Sequence, residues 1–310
     1  MSRRGAILFA AMGVIWGVPY LLIKVADGGV SVPVLVWARI TVGAAILVPI
    51  ALAQGAWRPE ERAVLRRHWR WLAAFAVIEI IGPWALLSAA EKHLSSSTTG
   101  LLIASVPAIG ALIAWMWGGG ERLTRVRAAG LGLGFAGVAL LVGPGVGGGD
   151  VLSYAEVLLT AVCYATGPMI ANRKLVGVPS IAANATCLVA AAVVYTPIAL
   201  LNWPPATPSA SVLAALAALG AVCTAGGLVG FFLLITEIGA ARATVITYLN
   251  PAVAVALGAG ILGERLTVTT GVAFVLILAG SVLATRAPAP VSAPAARRSQ
   301  TRPSDPAPEI

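Results

Sequence analysis

Arg39 and Glu79 are ionisable residues set deep inside apolar runs, seven positions into Val32–Ala53 and eight positions into Trp71–Ala90. A charge at the centre of a bilayer costs about 2.5–3.5 kcal/mol on insertion scales, so such residues face the interior of a helix bundle. A guanidinium in that setting is a rigid fork that binds a carboxylate or phosphate. The competing roles for Arg39 are a structural pair with Glu79 and snorkelling toward the outer interface. Glu79 is either a proton carrier or an interhelical hydrogen-bonding group. Lys24 lies near the outer end of the first run, where it either touches substrate or snorkels outward beside Asp27. Glu156 is shallower, and Glu91 and Glu237 close their runs, where a solvated role is expected.

The neutral part of a pocket would come from Trp16, Trp84, Tyr164 and Tyr248, which fall inside runs and away from the interfacial belt. Packing is the commoner role for a buried aromatic. Trp16 and Tyr164 hold equivalent places in two halves of the chain, which sets them on opposite walls of a cavity. Asn250 precedes Pro251 within a run, and its amide either reads substrate or bridges the carbonyl that the proline frees.

The elements that must position these groups are membrane helices. The chain is 59% hydrophobic and 11% charged, with a mean hydropathy of +0.91. A soluble domain carries about 25% charge. Ten candidate spans follow: Gly5–Ala26, Val32–Ala53, Trp71–Ala90, Ser97–Trp117, Ala128–Gly143, Val151–Ala171, Ser180–Leu201, Ser211–Thr236, Ala243–Leu262 and Leu266–Thr285. Runs of about 20 residues cross about 30 Å of hydrocarbon. The net charge of +9 lies in short clusters between runs and reads as topology information, with no base-stacking motif and hence no nucleic-acid partner.

The word Gly-Glu-Arg-Leu-Thr occurs at Gly120–Thr124 and again at Gly263–Thr267, and Gly137 and Gly280 follow the two copies at the same distance. This marks a duplicated unit: residues 5–143 and 151–285, followed by a Pro-, Ala- and Arg-rich tail, 286–310, expected to be disordered. With the N-terminus inside, the inner segments hold 17 Lys and Arg and the outer loops two, so both termini are expected in the cytoplasm. Five spans per copy is an odd number, so the second copy enters from the opposite side. The expected fold is an all-α membrane protein of ten helices in two inverted five-helix repeats.

Several stretches resemble the EamA domain of the drug/metabolite transporter superfamily. They are Ala90-Glu91-Lys92-His93-Leu94-Ser95, Ala104-Ser105-Val106-Pro107 and the first Gly-Glu-Arg-Leu-Thr. The second copy offers Ala241-Arg242-Ala243-Thr244, Tyr248-Leu249-Asn250-Pro251 and the second Gly-Glu-Arg-Leu-Thr. Ile15-Trp16-Gly17 with Lys24 and the second-run Arg39 are similar to the family's first two helices. The resemblance covers about residues 5–285 and implies a ten-helix bundle with a central cavity and alternating access, exporting amino acids or other small metabolites. Tyr164-Ala165 replaces Trp16-Gly17 in the second copy, and Asn184-Ala185 stands near the equivalent of Arg39, so the halves are not chemically symmetric.

The repeated word itself reads as helix capping: its glutamate meets the positive end of the following helix, with Thr124 or Thr267 as N-cap. The alternative is a gate latch in which Glu121 and Arg122 engage a partner loop. Gly13-x-x-x-Gly17, Gly130-x-x-x-Gly134 and Gly226-x-x-x-Gly230 read as intramolecular packing surfaces first, with dimerisation second. The Gly143–Gly149 stretch lacks the end of a phosphate loop, His68 and His93 occupy separate loops, and Cys163, Cys187 and Cys223 show no metal-ligand spacing. No cofactor or metal is expected, and no paired acids or activated nucleophile mark an intramembrane enzyme. The expected partners are a small-molecule substrate and the lipid bilayer.

Overall fold

The structure is a computed structural model that describes residues 2–117, 124–143 and 150–285, without the side chains of residues 240 and 241. The Gly120–Leu123 part of the first repeated word, the Gly-rich stretch from Pro144 to Gly149 and the tail from Arg286 lie outside the described residues. The described residues are helical, with no strand among them. Among the described residues nine helices are long and apolar enough to cross a membrane: α1 (Arg3–Asp27), α2 (Val32–Ala53), α3 (Trp69–Ala90), α4 (Ser96–Met116), α5 (Arg125–Val142), α6 (Val151–Lys174), α7 (Ser180–Leu201), α8 (Ala210–Ile238) and α9 (Thr244–Ile261). A further apolar helix, α10 (Val268–Ala284), has 17 residues. At 1.5 Å per residue it is about 25 Å long, slightly short of a typical hydrocarbon core. A short surface helix, Pro59–Arg67, joins α2 to α3.

Helix ends sort into two faces of the bundle. The near end carries Ser2, whose hydroxyl accepts from Gly5 N and starts α1. It also donates to Glu237 Oε1 at 2.5 Å, where Arg4 adds an ion pair at 4.0 Å. The far end carries the α1–α2, α3–α4 and α9–α10 turns. Pro19 breaks α1, yet Val18 N–H still reaches Val14 O and the helix continues to Asp27. Such breaks persist where neighbouring helices re-satisfy the backbone.

The helices pair in a regular way: α5 on α10, α2 on α7, α4 on α9, α3 on α6 and α1 on α8. Hydrocarbon gives no hydrophobic drive between helices, so close backbone approach through small residues is what holds such pairs. The α5–α10 crossing is the tightest case. A Cβ on Gly130 would come 2.5 Å from Ala284 N, one on Gly137 2.8 Å from Ile277 Cγ1, and one on Gly280 2.6 Å from Gly134 Cα. Gly13 and Gly17 likewise admit Leu249 and Val253 of α9 against α1. In the third glycine pair, Gly230 faces Met12, while Gly226 is exposed and meets only its own helix; the neighbouring Gly227 takes the Trp16 ring instead.

Gly280→Leu is expected to force α5 and α10 apart and to cost at least the 1–3 kcal/mol or so of core overpacking. Because backbone atoms are the obstacle, no rotamer relieves it. The check is thermal unfolding of the purified protein in detergent. A melting temperature equal to wild type would show that the crossing is looser than described.

Candidate functional site

Arg39 projects from α2 into the largest cluster of buried side chains and is 7% exposed. Its Nε donates to Thr224 Oγ1 of α8 at 3.1 Å, and its Cζ lies 3.8 Å from the centroid of the Trp84 ring of α3. Tyr164 of α6, Cys223 of α8, Tyr20 of α1 and Glu91 are the ionisable groups close enough to act on it electrostatically. Five helices therefore converge on one guanidinium. Among the described residues no carboxylate stands within 4.0 Å of it. Arg39 is thus neither paired with Glu79 nor snorkelled to an interface, the two structural roles its position suggested. The cation–π contact and one hydroxyl orient the fork and leave most of its five N–H donors for something else.

The third helix of each half is locally rewound where it approaches this centre. In α3 the Ala76–Ile81 segment forms a π-helical turn, with Gly82 N–H bonded to Val77 O, five residues back. In α8 the Leu219–Gly226 segment does the same, with Gly227 N–H reaching Val222 O. Pro83 lacks an N–H and cannot continue the ordinary ladder, and the carbonyl of Ile81 takes the Tyr195 hydroxyl of α7 at 2.7 Å. Such bulges are rare and concentrate at functional sites. Each one carries a polar side chain. Thr224 Oγ1 donates to Leu219 O at 2.9 Å, which turns its lone pairs to Arg39. Glu79 sits on the other bulge, its Oε2 buried and without a hydrogen-bond partner. That oxygen packs over Gly167 of α6, where a Cβ would overlap it. Tyr164 lies one turn back along α6 and is near enough to both Arg39 and Glu79 to interact with each.

The other expected pocket residues lie elsewhere. Trp16 packs against Phe231, ring centroids 4.8 Å apart, and its Nε1 lies against Gly227, so it belongs to the α1–α8 interface while Tyr164 belongs to the central cluster. Tyr248 is at the near end, its hydroxyl 2.9 Å from Thr285 Oγ1 and 3.3 Å from Ser281 O. Asn250, with its amide nitrogen turned to the carbonyls, donates to Ile246 O at 3.0 Å and Gly13 O at 3.2 Å, which ties α9 to α1; neither is the Thr247 carbonyl that Pro251 frees. Lys24 does not form the expected pair with Asp27, which pairs with Lys92 at 3.5 Å. The Lys24 ammonium donates instead to the Glu91 carbonyl and to Leu94 O at 2.9 Å. Glu91, expected to be solvated, is 0% exposed. A cavity of about 250 Å³ lies at the near end between Gln54, Glu61, Ser180 and Phe232, away from Arg39.

A family model for the EamA-like transporter family matches residues 3–143 and again 152–286. The chain belongs to the EamA-like transporter family. It is 28% identical over 280 residues to a protein of Escherichia coli K12 described as the uncharacterized inner membrane transporter YedA, covering 89% of this chain and 88% of that one. It is also 27% identical over 167 residues to the uncharacterized transporter YvbV of Bacillus subtilis, covering 54% and 53% of the two chains. A solved structure titled "Crystal structure of protein" superposes with a TM-score of 0.64 at 24% identity, covering 92% of this chain and 97% of that one. At that identity it is a likeness of fold.

In this EamA-like chain the second Gly-Glu-Arg-Leu-Thr does something its sequence did not announce. Thr267 N-caps α10 through Thr270 N at 3.1 Å, and Thr124 N-caps α5 through Arg127 N at 3.3 Å, as expected. Glu264 does not cap the helix that follows it. Its Oε1 accepts from Ser96 N (2.7 Å) and Ser96 Oγ (2.9 Å), and its Oε2 from Ser97 N (2.9 Å) and Ser97 Oγ (2.5 Å). The carboxylate therefore caps α4, in the other half of the chain. Ser95 supplies the next bond, to Thr98 N at 3.1 Å, so the first N–H groups of α4 are satisfied. Gly258 must be glycine for this, since its Cβ would lie 2.5 Å from Ser97 Oγ and 2.7 Å from Ser96 Oγ. Gly263 takes φ +67°, the left-handed turn that swings Glu264 back over α9. Partial burial pushes the Glu264 pKa up, but the Ser97 and Ser96 donors outweigh it and hold the carboxyl below its ordinary value of 4.5. Thr224 was missed because a lone hydroxyl residue in an apolar run carries no signal of its own, and Ser96 and Ser97 because the Ser95–Thr99 hydroxyl stretch at the start of a span reads as turn.

Proposed function

We propose that this protein is a secondary transporter of the bacterial inner membrane. It exports a small carboxylate-bearing metabolite, of which amino acids are the leading class, by alternating access. The carrying observation is Arg39: a buried guanidinium, aimed by Trp84 and Thr224, with no acidic partner among the described residues. Leaving such a charge uncompensated inside a bundle is costly, and an anionic ligand offsets that cost. Glu79 supplies a buried acid on the π-helical turn of α3, with an oxygen unpartnered among the described residues and Tyr164 near both groups, and a ligand ammonium is what would draw it into the carboxylate form. A zwitterion fits that pair, its carboxylate to Arg39 and its ammonium to Glu79. Trp16, Tyr248, Asn250 and Lys24 then support the moving helices and do not contact cargo.

The architecture in this reading is ten spans in two inverted repeats, residues 5–143 and 151–285, with both termini cytoplasmic. The pairing of α2 with α7, α4 with α9 and α5 with α10, and the crossed pairs α1–α8 and α3–α6, is what a twofold relation between halves produces. The near end is then cytoplasmic and the far end external. Relatives named as transporters support transport chemistry over an enzymatic role. Reconstitution into liposomes tests it: preloaded amino acid should drive counterflow of the labelled one, and unitary conductance in a bilayer would refute a carrier.

Glu79→Gln is expected to lower affinity for amino acids by about tenfold while leaving monocarboxylates that lack an ammonium unaffected. Competition of both ligand classes against labelled substrate measures this. Equal loss for the two classes would remove Glu79 from ammonium recognition.

A further inference from the structure

We propose that Glu91 is a proton-binding site that controls the gate at the far end of the bundle. The proposal rests on the transporter reading above and adds to it a ligand, the proton, and a place for it.

Glu91 lies in the turn between α3 and α4, beyond the last residue of the span. It is 0% exposed, and neither carboxyl oxygen has a hydrogen-bond partner among the described residues. An ionised carboxylate in that state would have lost its water with nothing in exchange, which costs several kcal/mol. The cation with the largest electrostatic effect on Glu91 does not bond its carboxyl. Lys24 spends its ammonium on the main-chain carbonyls of Glu91 and Leu94, which close the end of α3. The arrangement is that of a neutral acid.

The groups facing Glu91 from each packed element are Tyr20, Lys24 and Asp27 of α1, Arg39 of α2 and Glu264 of the α9–α10 turn. Asp27 is offset by Lys92. Glu264 is held as the anion by its four donors and disfavours a second negative charge beside it. His93 and Lys92, on the turn itself, are exposed. Burial raises the Glu91 pKa well above the ordinary carboxylate value of 4.5; Lys24 and, less, Arg39 work against it, while Glu264 and Asp27 add to it.

Loss of the proton reverses the competition. Glu91 releases H⁺ to solvent and becomes a carboxylate, while Lys24 remains an ammonium. The carboxylate is then the strongest acceptor within reach of Lys24, so the ammonium leaves the two carbonyls. The freed carbonyls and the new ion both need water, and the turn that closes the far end loosens to admit it. Protonation restores the hold. Proton binding at Glu91 is thereby linked to closure, the requirement for a proton-coupled cycle.

The test uses the full chain in nanodiscs, where both faces are accessible, with Cys163, Cys187 and Cys223 replaced by alanine and a reporter at Leu94→Cys. Leu94 is 1% exposed, so a charged maleimide reaches it only when the turn opens. Maleimide reacts with the thiolate, so each rate, for wild type and every variant, is divided by that of a free cysteine peptide at the same pH. This corrected rate is expected to rise about tenfold per pH unit below the apparent pKa of the site, as for a single proton. Glu91→Gln, a permanent neutral acid, is expected to hold the slow low-pH rate at every pH. Lys24→Met is expected to label fast at every pH, and Glu91→Asp to keep a pH-dependent rate. Misfolding speeds labelling, so a slow, flat Glu91→Gln profile cannot arise from damage. A Glu91→Gln profile that follows wild type, or fast flat labelling shared by Glu91→Gln and Glu91→Asp, overturns the proposal. The readout requires no cargo, so a failure of counterflow refutes the transporter reading without deciding this one.

Discussion

Arg39→Ala is expected to reduce transport at subsaturating substrate by about 10- to 100-fold. That range corresponds to losing charge-assisted hydrogen bonds of about 1.5–3 kcal/mol to a carboxylate. Arg39→Lys keeps the charge and loses the fork, so it should recover only part of the rate. The loss is attributable to cargo because no carboxylate among the described residues lies within 4.0 Å of the side chain to be stranded; Thr224 and the Trp84 ring are neutral. Thr224→Val removes the one direct bond that aims the guanidinium and should cost less, mainly as a raised KM. The measurement is initial counterflow in proteoliposomes with protein amount normalised. Wild-type rates in Arg39→Ala would end the claim that this residue reads substrate.

Glu264→Ala removes the acceptor of four hydrogen bonds and exposes the N–H groups of Ser96 and Ser97. The partly exposed site moderates the charge effect, so the loss is set at about 2 kcal/mol, the upper range for a helix cap. Because the folded pKa is depressed, the stabilisation is present above the ordinary carboxylate value of 4.5 and is lost as pH falls through the lower folded value. Wild type and Glu264→Ala should therefore differ in thermal unfolding at neutral pH and converge below pH 4.5. Hydrogen exchange resolves the location: protection should fall at the start of α4. Equal unfolding curves at neutral pH, with unchanged exchange there, would contradict the clasp. The same bonds join the two halves of the chain at the face proposed to be external, so a cycle that opens that face must break them.

Glu91 and Glu237 show how far sequence reasoning reaches. Both end the third helix of their half, and by position both read as solvated. Glu237 is partly exposed and is met by Ser2 and Arg4 at the near end. Glu91 is sealed beneath the α3–α4 turn, while Lys24 takes its carbonyl. The difference lies in which remote segment covers each one, and no local pattern encodes that. Lys24 and Asp27 mislead for the same reason: nearness in sequence suggested a pair, whereas the fold sets Lys92 against Asp27 and the α3 carbonyls against Lys24.

Sequence by itself determined that this is a helical membrane protein, because hydrocarbon demands long apolar helices and charge between them. It also showed one word written twice, and placed Arg39 inside the bundle, because a mid-span charge has nowhere else to go. The identity of Arg39's companions was decided only by tertiary structure. Trp84 and Thr224 reach it from helices distant in sequence, and π-helical turns set the angle of the segments that carry Thr224 and Glu79. The role of Glu264 was decided in the same way. A carboxylate caps whichever helix start lies within hydrogen-bond reach, and the pairing of α4 with α9 brings Ser96 and Ser97 there ahead of the helix that follows in sequence.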